Sequence, residues 1–213
     1  MKKNQRILKV DSQLAQVLLG KLRHRQTSSL EFTLFLGEIS RILALSAAEY
    51  LETKLESVES PLGNAKRKSF LKTPILVPIM RSGNPMLEGL HTLFPDSPAG
   101  HIGIYRDKEL KATVEYYFRL PKNRKNRPIF LLDPMIATGE TARSCVERLR
   151  EFNVGDIFIL SLLISKAALP VLKTLDAKVR IFYLQLESEL TPEGLIYPGL
   201  GDLGERLYRT NMG

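Results

Sequence analysis

The fold is decided by one stretch, Phe130-Leu131-Leu132-Asp133-Pro134-Met135-Ile136-Ala137-Thr138-Gly139-Glu140-Thr141-Ala142-Arg143-Ser144. Apolar residues run up to the carboxylate of Asp133, a short turn rich in small and hydroxyl residues follows, and an apolar stripe at helical spacing begins at Ala142. This pattern predicts a buried strand, a tight loop and a helix. Strands that alternate with helices in this way build mainly parallel sheets.

The loop of this unit has the chemistry of an anion site. A helix start offers unpaired N–H groups and a partial positive charge, so the segment 138–141 can wrap a phosphate. The hydroxyls of Thr138 and Thr141 add donors, and Gly139 lets the backbone approach closely. Asp133 falls at the carboxyl end of a strand, where open α/β sheets bind ligands. The loop lacks the lysine of a P-loop and a dinucleotide glycine ladder, and taken alone it is equally well an ordinary capped turn.

A second unit of the same kind precedes it. The segment 74–79 is short and rich in apolar and β-branched residues, which predicts a buried strand. It is followed by the loop Arg81-Ser82-Gly83-Asn84-Pro85 and by a helix predicted over about 86–93. Pro85 suits the first turn of that helix. Because Arg81 lies on a loop beside a second loop suited to anions, it is a candidate phosphate clamp.

The remaining elements complete an α/β fold. Ser28-Ser29-Leu30-Glu31 is a capping box that starts a helix predicted to run past Tyr50, and the residues before it form a helical N-terminal arm. The chain is expected to break at 60–64. Further strands are expected at 101–105, 114–120, 157–164 and 179–184, with a helix at about 167–175. We therefore predict a mainly parallel twisted sheet flanked by helices, in which the first two of these strands form an antiparallel hairpin flap.

Length and composition predict a single domain over residues 1–213, since 44% of the chain is hydrophobic and can form a sizeable core. No apolar run approaches the roughly 20 residues of a membrane span. The charged N-terminus has no apolar segment behind it, so no secretory signal is expected. The single Cys145 excludes an internal disulfide and fits a packed core thiol in a reducing cytoplasm.

The charge balance favours anionic partners. Lys and Arg number 31 against 23 Asp and Glu, a net charge of +8, which suits nucleic acid, acidic lipid or a polyphosphate substrate. The densest basic run, 122–127, lies between two prolines and indicates an exposed loop. It has no interleaved aromatic residues on which bases could stack, so nucleic-acid binding is not favoured.

The C-terminal region contains a loop suited to a small ligand. Residues 198–204 are rich in glycine and proline and are not expected to form a regular element. Such a backbone can present N–H and C=O groups edge-on to a planar ligand. Apolar neighbours, among them Leu195, Ile196 and Leu200, indicate that the loop is packed rather than free.

Together these segments give the chain a resemblance to the uracil phosphoribosyltransferases, which have the type I phosphoribosyltransferase fold. The resemblance extends from Leu22-Arg23 to Gly201-Asp202, and its strongest parts are 100–107, 114–117, 133–139 and 198–202. The sequence departs from the family pattern in the loop after Arg81, at Glu140 where glycine is usual, and at Tyr197 and Leu203 where smaller residues are usual.

The resemblance implies an activity and a set of roles. The family joins uracil to the ribose of 5-phosphoribosyl 1-diphosphate, giving UMP and diphosphate in pyrimidine salvage, with Mg²⁺ on the diphosphate. The resemblance also implies that the chain assembles into a homo-oligomer. By resemblance, the loop that begins at Asp133 binds the 5-phosphate, and Asp133 contacts the ribose. The residues of this loop are Asp133, Pro134, Met135, Ile136, Ala137, Thr138, Gly139, Glu140 and Thr141. Arg81 and Arg106 match the arginines on the diphosphate. Uracil is read by Ile196, Gly201, Asp202 and Leu203, and Asp202 also contacts phosphoribosyl diphosphate.

Two alternatives remain at this point. Tyr197 and Leu203 are compatible with a phosphoribosyltransferase for a different base. The charge of +8 is compatible with a non-catalytic nucleotide sensor or RNA-binding regulator on the same fold. No group is assigned to accept the uracil proton, because His24, His91 and His101 belong to no motif and are interpreted as structural.

Overall fold

The computed structural model describes residues 5–106 and 113–210, apart from the side chains of Arg106 and Thr113. The helices are α1 (Gln13–Arg23), α2 (Ser29–Ala48), α3 (Asn84–Leu93), α4 (Glu140–Arg150), α5 (Leu169–Thr174) and α6 (Leu203–Tyr208). The strands are β1 (Ile7–Lys9), β2 (Thr53–Ser60), β3 (Gly63–Phe70), β4 (Ile75–Met80), β5 (His101–Arg106), β6 (Thr113–Arg119), β7 (Ile129–Leu132), β8 (Met135–Ile136), β9 (Ile157–Ser165), β10 (Val179–Glu187), β11 (Glu189–Leu190) and β12 (Ile196–Tyr197).

The main sheet has the order β1-β10-β9-β7-β4-β5-β6, and β8 also pairs with β9. Pairing is parallel from β1 to β5, and β6 runs antiparallel to β5. The predicted mainly parallel sheet with an antiparallel hairpin is therefore confirmed. Its central strands β7 and β9 are buried along their whole length because helices cover both faces.

Each face of the sheet has its own apolar cluster. Phe130 and Leu132 of β7 point to the face covered by α1, α2, α3 and α6, whereas Ile129 and Leu131 point to the face covered by α4 and α5. This alternation follows from the two-residue period of a strand. All parallel strands thus present their carboxyl ends at one edge, where the loops after β4 and β7 begin.

On the first face, the start of α2 and its close approach to α3 both follow from particular residues. At the start of α2, Glu31 N–H donates to Ser28 Oγ at 3.3 Å and Ser28 N–H donates to Glu31 Oε2 at 3.0 Å, which confirms the capping box. The helix ends at Ala48, so the prediction that it runs past Tyr50 is wrong by at least two residues. Gly89 of α3 is required where the helices approach, because a Cβ there would lie 2.6 Å from the Gly37 carbonyl oxygen of α2.

Several elements of the structure were not predicted from the sequence. The expected break at 60–64 is the turn of an antiparallel hairpin, β2–β3, whose largely exposed residues give no apolar alternation. Strand β1 has only three residues, and it adds a parallel edge beside β10. Helix α6 begins inside the segment predicted to be irregular, because Asp202 caps it by accepting from Glu205 N–H at 3.1 Å.

No helix in the described ranges is long and apolar enough to cross a membrane.

Candidate active site

The loop after β7 is held to the sheet by backbone hydrogen bonds. Its two-residue strand β8 pairs in parallel with β9, with Met135 opposite Leu163. The N–H groups of Leu162 and Leu163 both donate to the Pro134 carbonyl at 3.1 Å. The Ser165 hydroxyl donates to the Ala137 carbonyl. These bonds fix the backbone of the loop before any ligand arrives.

The loop ends at an open helix start. Gly139 is the N-cap residue of α4, and since it has no side chain, the capping bond expected of an ordinary capped turn is absent at this position. Its φ of +84° lies in the left-handed region, and an added Cβ would approach Val171 Cβ to 3.1 Å. The first N–H groups of α4 therefore remain available to an anion, and the helix dipole favours that anion.

The loops after β4 and β7 share one cavity of about 220 Å³. It is lined by Ile79, Met80, Ser82, Ile104, Asp133, Met135, Ile136, Ala137, Thr138, Gly139, Thr141 and Ala142. Among the residues predicted for the phosphate loop, Pro134 and Glu140 do not line it. Ser82 and Ile104, which line the cavity, were not predicted.

Asp133 is the carboxylate of this cavity. Its side chain is nearly enclosed, with 8% of the residue exposed, and Met135 N–H donates to its Oδ1 at 3.3 Å. Burial raises the pKa of Asp133 from 3.8 to about 7, and the Met135 hydrogen bond acts in the opposite direction. A cationic ligand would shift this carboxyl toward its charged form, because an opposite charge favours ionisation.

The Arg81 loop is packed directly against the strand that leads to Asp133. A Cβ on Gly83 would lie 2.5 Å from the Leu132 carbonyl oxygen, so only glycine fits between the two segments. The Met80–Arg81 peptide bond is cis. The Arg81 carbonyl accepts from the Tyr208 hydroxyl at 2.8 Å, and the Arg81 guanidinium carbon lies 5.4 Å from the centroid of the Tyr208 ring.

Arg106 ends β5, next to β4 in the sheet, where Met80 is paired with Gly103. The backbone thus brings the ends of both arginine-bearing strands to the same edge. The side chain of Arg106 lies outside the described residues, as does the tip of the β5–β6 hairpin at 107–112. Its predicted contact with diphosphate stays a prediction.

The C-terminal segment is packed, as expected from its apolar residues. Ile196 and Leu200 are buried in the same cluster as Leu162 and Leu163 of β9. Gly199 has a φ of +55°, and a Cβ there would lie 2.1 Å from the Ile196 carbonyl oxygen. Gly201 has a φ of +77°. These two left-handed residues curl the backbone in a way that other residues rarely adopt.

The predicted uracil-binding residues divide between core and surface. Leu203 is 8% exposed and belongs to the hydrophobic core, while Tyr197 is 58% exposed. Asp202 is exposed and caps α6. The set Ile196, Gly201, Asp202 and Leu203 does not line the 220 Å³ cavity; it is joined to the Arg81 loop through α6 and Tyr208.

The charge of Glu140 is compensated locally. Its carboxylate pairs with Arg143 one turn further along α4, and Arg143 Nε also lies 3.9 Å from Glu147 Oε1. The departure from the glycine usual at this position therefore adds little net negative charge to the helix start.

Two further residues of α6 were missed by sequence reasoning. Arg206 donates to the carbonyls of Leu22 at 2.9 Å and His24 at 3.0 Å, and to that of Leu200 at 3.2 Å. Tyr208 contacts the Arg81 loop across 127 positions of the chain. A contact at such a separation leaves no local pattern in the sequence.

Comparisons with known proteins agree on one family. The family model described as uracil phosphoribosyltransferase matches residues 9–210. Relatives named uracil phosphoribosyltransferase include one from Variovorax paradoxus (strain S110), 36% identical, with 94% of this chain and 97% of the relative covered. Another, from Dictyoglomus thermophilum (strain ATCC 35947 / DSM 3960 / H-6-12), is 37% identical, with coverages of 96% and 99%.

Solved structures support the same fold. The AQ2163 protein from Aquifex aeolicus superposes with a TM-score of 0.90 at 26% identity, covering 97% of this chain and 100% of that one. Adenine phosphoribosyltransferase from Leishmania donovani has a TM-score of 0.58 at 15% identity, with coverages of 95% and 90%. The latter likeness shows the fold alone, that of the type I phosphoribosyltransferases.

Proposed function

The chain belongs to the uracil phosphoribosyltransferase family, and we propose that it is an enzyme that forms UMP and diphosphate from uracil and 5-phosphoribosyl 1-diphosphate. The observation that carries the proposal is the shared cavity. An open helix start, a buried carboxylate and the loop that bears Arg81 meet there. These are the parts needed to hold a sugar phosphate at both ends.

The 5-phosphate binds at the start of α4. The free N–H groups of the first turn donate to its oxygens, and the hydroxyls of Thr138 and Thr141 add further donors. Because β8 and Ser165 already fix this loop, little ordering of the backbone is needed when the phosphate arrives.

Asp133 acts on the ribose. In the reaction the bond from the sugar carbon to the diphosphate oxygen breaks, and a bond to the uracil nitrogen forms as that nitrogen loses its proton. Positive charge builds on the sugar during this exchange. The Asp133 carboxylate is buried beside it, where the stabilising interaction is stronger than in water.

The diphosphate leaves against Arg81 and Arg106. Arginine suits this role because its planar guanidinium forms paired hydrogen bonds with phosphate oxygens. Magnesium belongs to the substrate, chelated by diphosphate oxygens and water, the coordination that Mg²⁺ prefers. The described residues contain no cluster of three acidic, histidine or cysteine side chains that could hold a metal ion by themselves. Among the described residues that line the cavity, Asp133 is the acidic one that a substrate-bound ion would meet.

Uracil is bound by backbone groups of the C-terminal segment. The residues that contribute these groups are Ile196, Gly201, Asp202 and Leu203. His101 is the first residue of β5 and therefore lies at the opposite end of that strand from Arg106. Burial and nearby His91 lower the pKa of His101, and we give it no part in the proton transfer.

Residues 1–213 are proposed to act as one domain in the cytoplasm and as a homo-oligomer. The β2–β3 hairpin supports the oligomer: its tip residue Leu62 is 100% exposed, and isolated two-stranded hairpins are marginally stable in water. A second copy of the chain is the proposed cover. Light scattering after size-exclusion chromatography tests this, and Leu62→Asp should weaken the assembly, whereas a monomeric wild-type protein would contradict it.

The test of function is the formation of UMP from uracil and phosphoribosyl diphosphate with Mg²⁺ present. A panel of uracil, 5-substituted uracils, adenine and hypoxanthine measures the base preference. We expect uracil to be preferred. Failure to form UMP, or turnover with a purine only, would contradict the proposal. Tight, salt-sensitive RNA binding without turnover would favour a regulator instead.

A further inference from the structure

We propose that Tyr208 is a positioning residue for the diphosphate of the substrate, which it serves by fixing the Arg81 loop from behind. The inference rests on the function proposed above. The Arg81 carbonyl accepts two hydrogen bonds, from the Tyr208 hydroxyl at 2.8 Å and from Asn84 N–H at 3.2 Å. Since a carbonyl oxygen has two lone pairs, its bonding capacity is filled.

The bond to Tyr208 also sets the direction of the next amide. The Arg81–Ser82 peptide is planar and trans, so its C=O and N–H groups point in opposite directions. With the carbonyl held toward α6, the Ser82 N–H is held away from α6. Ser82 lines the cavity that contains Asp133. The tyrosine hydroxyl, together with the Asn84 N–H, therefore holds this part of the loop in one orientation toward an incoming diphosphate.

The tyrosine ring supports the Arg81 side chain. The guanidinium carbon lies 5.4 Å from the ring centroid, within cation–π distance. Arg81 is exposed, and none of the carboxylates in the described part of the chain forms an ion pair with it. Among the described residues no ion pair neutralises its charge, and the ring restricts the orientations that the long side chain can adopt.

Tyr208 can do this because α6 is firmly anchored. Leu203 and Leu207 are buried in the core. Arg206 donates to the Leu22 and His24 carbonyls and lies 4.5 Å above the ring of Phe32. The support behind Arg81 is therefore a fixed helix rather than a mobile tail.

The matched substitution is Tyr208→Phe, which keeps the ring and removes only the hydroxyl. We expect the KM for phosphoribosyl diphosphate and the Kd for magnesium diphosphate, measured by calorimetry, to rise about 3- to 10-fold, the usual effect of one lost hydrogen bond. The KM for uracil should stay within about 2-fold. Tyr208→Leu removes the ring as well and should raise the diphosphate Kd further.

Tyr183→Phe is the control, because the Tyr183 hydroxyl in β10 makes no hydrogen bond to the described residues. It should leave both constants unchanged. The proposal is overturned if Tyr208→Phe binds magnesium diphosphate as the wild type does. It is also overturned if both KM values rise together with a fall in Tm, since that pattern indicates general destabilisation. Calorimetry with diphosphate needs no turnover, so a failure of the proposed function, no UMP from the wild type, is a separate result.

Discussion

Replacing Asp133 by asparagine should make the protein more stable and less active, and the gain in stability should depend on pH. The side chain is buried with a single hydrogen bond from Met135 N–H, and burial raises its pKa to about 7. Asparagine has nearly the same shape, and its carbonyl oxygen can still accept that bond. The substitution therefore removes a buried charge with little change in packing.

The size of the effect follows from proton linkage. The ordinary pKa of 3.8 and the folded value of about 7 differ by roughly three pH units, and each unit corresponds to about 1.4 kcal/mol. Well below pH 3.8 the carboxyl is protonated in both states. Between pH 4 and 7 the unfolded chain loses this proton while the folded one keeps it, so stability falls as pH rises. Above pH 7 the wild type has lost about 4 kcal/mol relative to Asp133→Asn.

Urea unfolding of both proteins at pH 5, 6, 7 and 8, followed by circular dichroism, measures this difference. The difference between the two free energies of unfolding should grow from pH 5 to a plateau near pH 8, because all other titrating groups are shared. At pH 8 kcat for UMP formation should fall at least ~10-fold in Asp133→Asn, since a charge-stabilising group is lost. A stability difference that is independent of pH, or a fully active variant, would refute this reasoning.

Three further predictions test other parts of the molecule. Arg106→Ala should lower kcat at least ~10-fold in the UMP assay through loss of a charge on the leaving group; a wild-type rate would remove Arg106 from the site. Gly139→Ala should destabilise the protein by about 1–2 kcal/mol in urea unfolding because of the φ of +84°, and should raise the KM for phosphoribosyl diphosphate. Its control, Gly20→Ala within α1, has open space around the new Cβ and should be neutral or stabilising, and equal effects of the two would contradict the argument. Cys145 is buried with a raised pKa, so a thiol reagent should react with it only in denaturant, and a fast native reaction would show that the core opens.

The strand-loop-helix unit that carries the proposed phosphate loop was predictable because its signals are local. A strand that ends at Asp133, a small-residue turn and a helical stripe lie within one short stretch, and each step of that pattern has a direct structural meaning. The same holds for β4 and the loop after it. The capping box at Ser28 was readable for the same reason, since the two bonded residues are three positions apart.

The remaining features depend on contacts that the sequence does not display. The β2–β3 hairpin was missed because its exposed residues show no apolar alternation. The burial of Leu203 in the core follows from the packing of α6 on α2, which its glycine-rich surroundings conceal. The bond from Tyr208 to Arg81 joins residues 127 positions apart, and only the folded chain shows that they meet.

The two proposed substrate-binding segments depend on contacts of very different sequence separation. The phosphate loop is assembled from neighbouring residues of one strand-loop-helix unit, whereas the C-terminal segment reaches the Arg81 loop only when a contact across 127 positions forms. Contacts between distant parts of a chain carry a larger entropic cost of loop closure and tend to form late. We therefore expect the proposed phosphate loop to form before the C-terminal segment docks on the Arg81 loop, so a partly folded chain should bind phosphate before it can select a base.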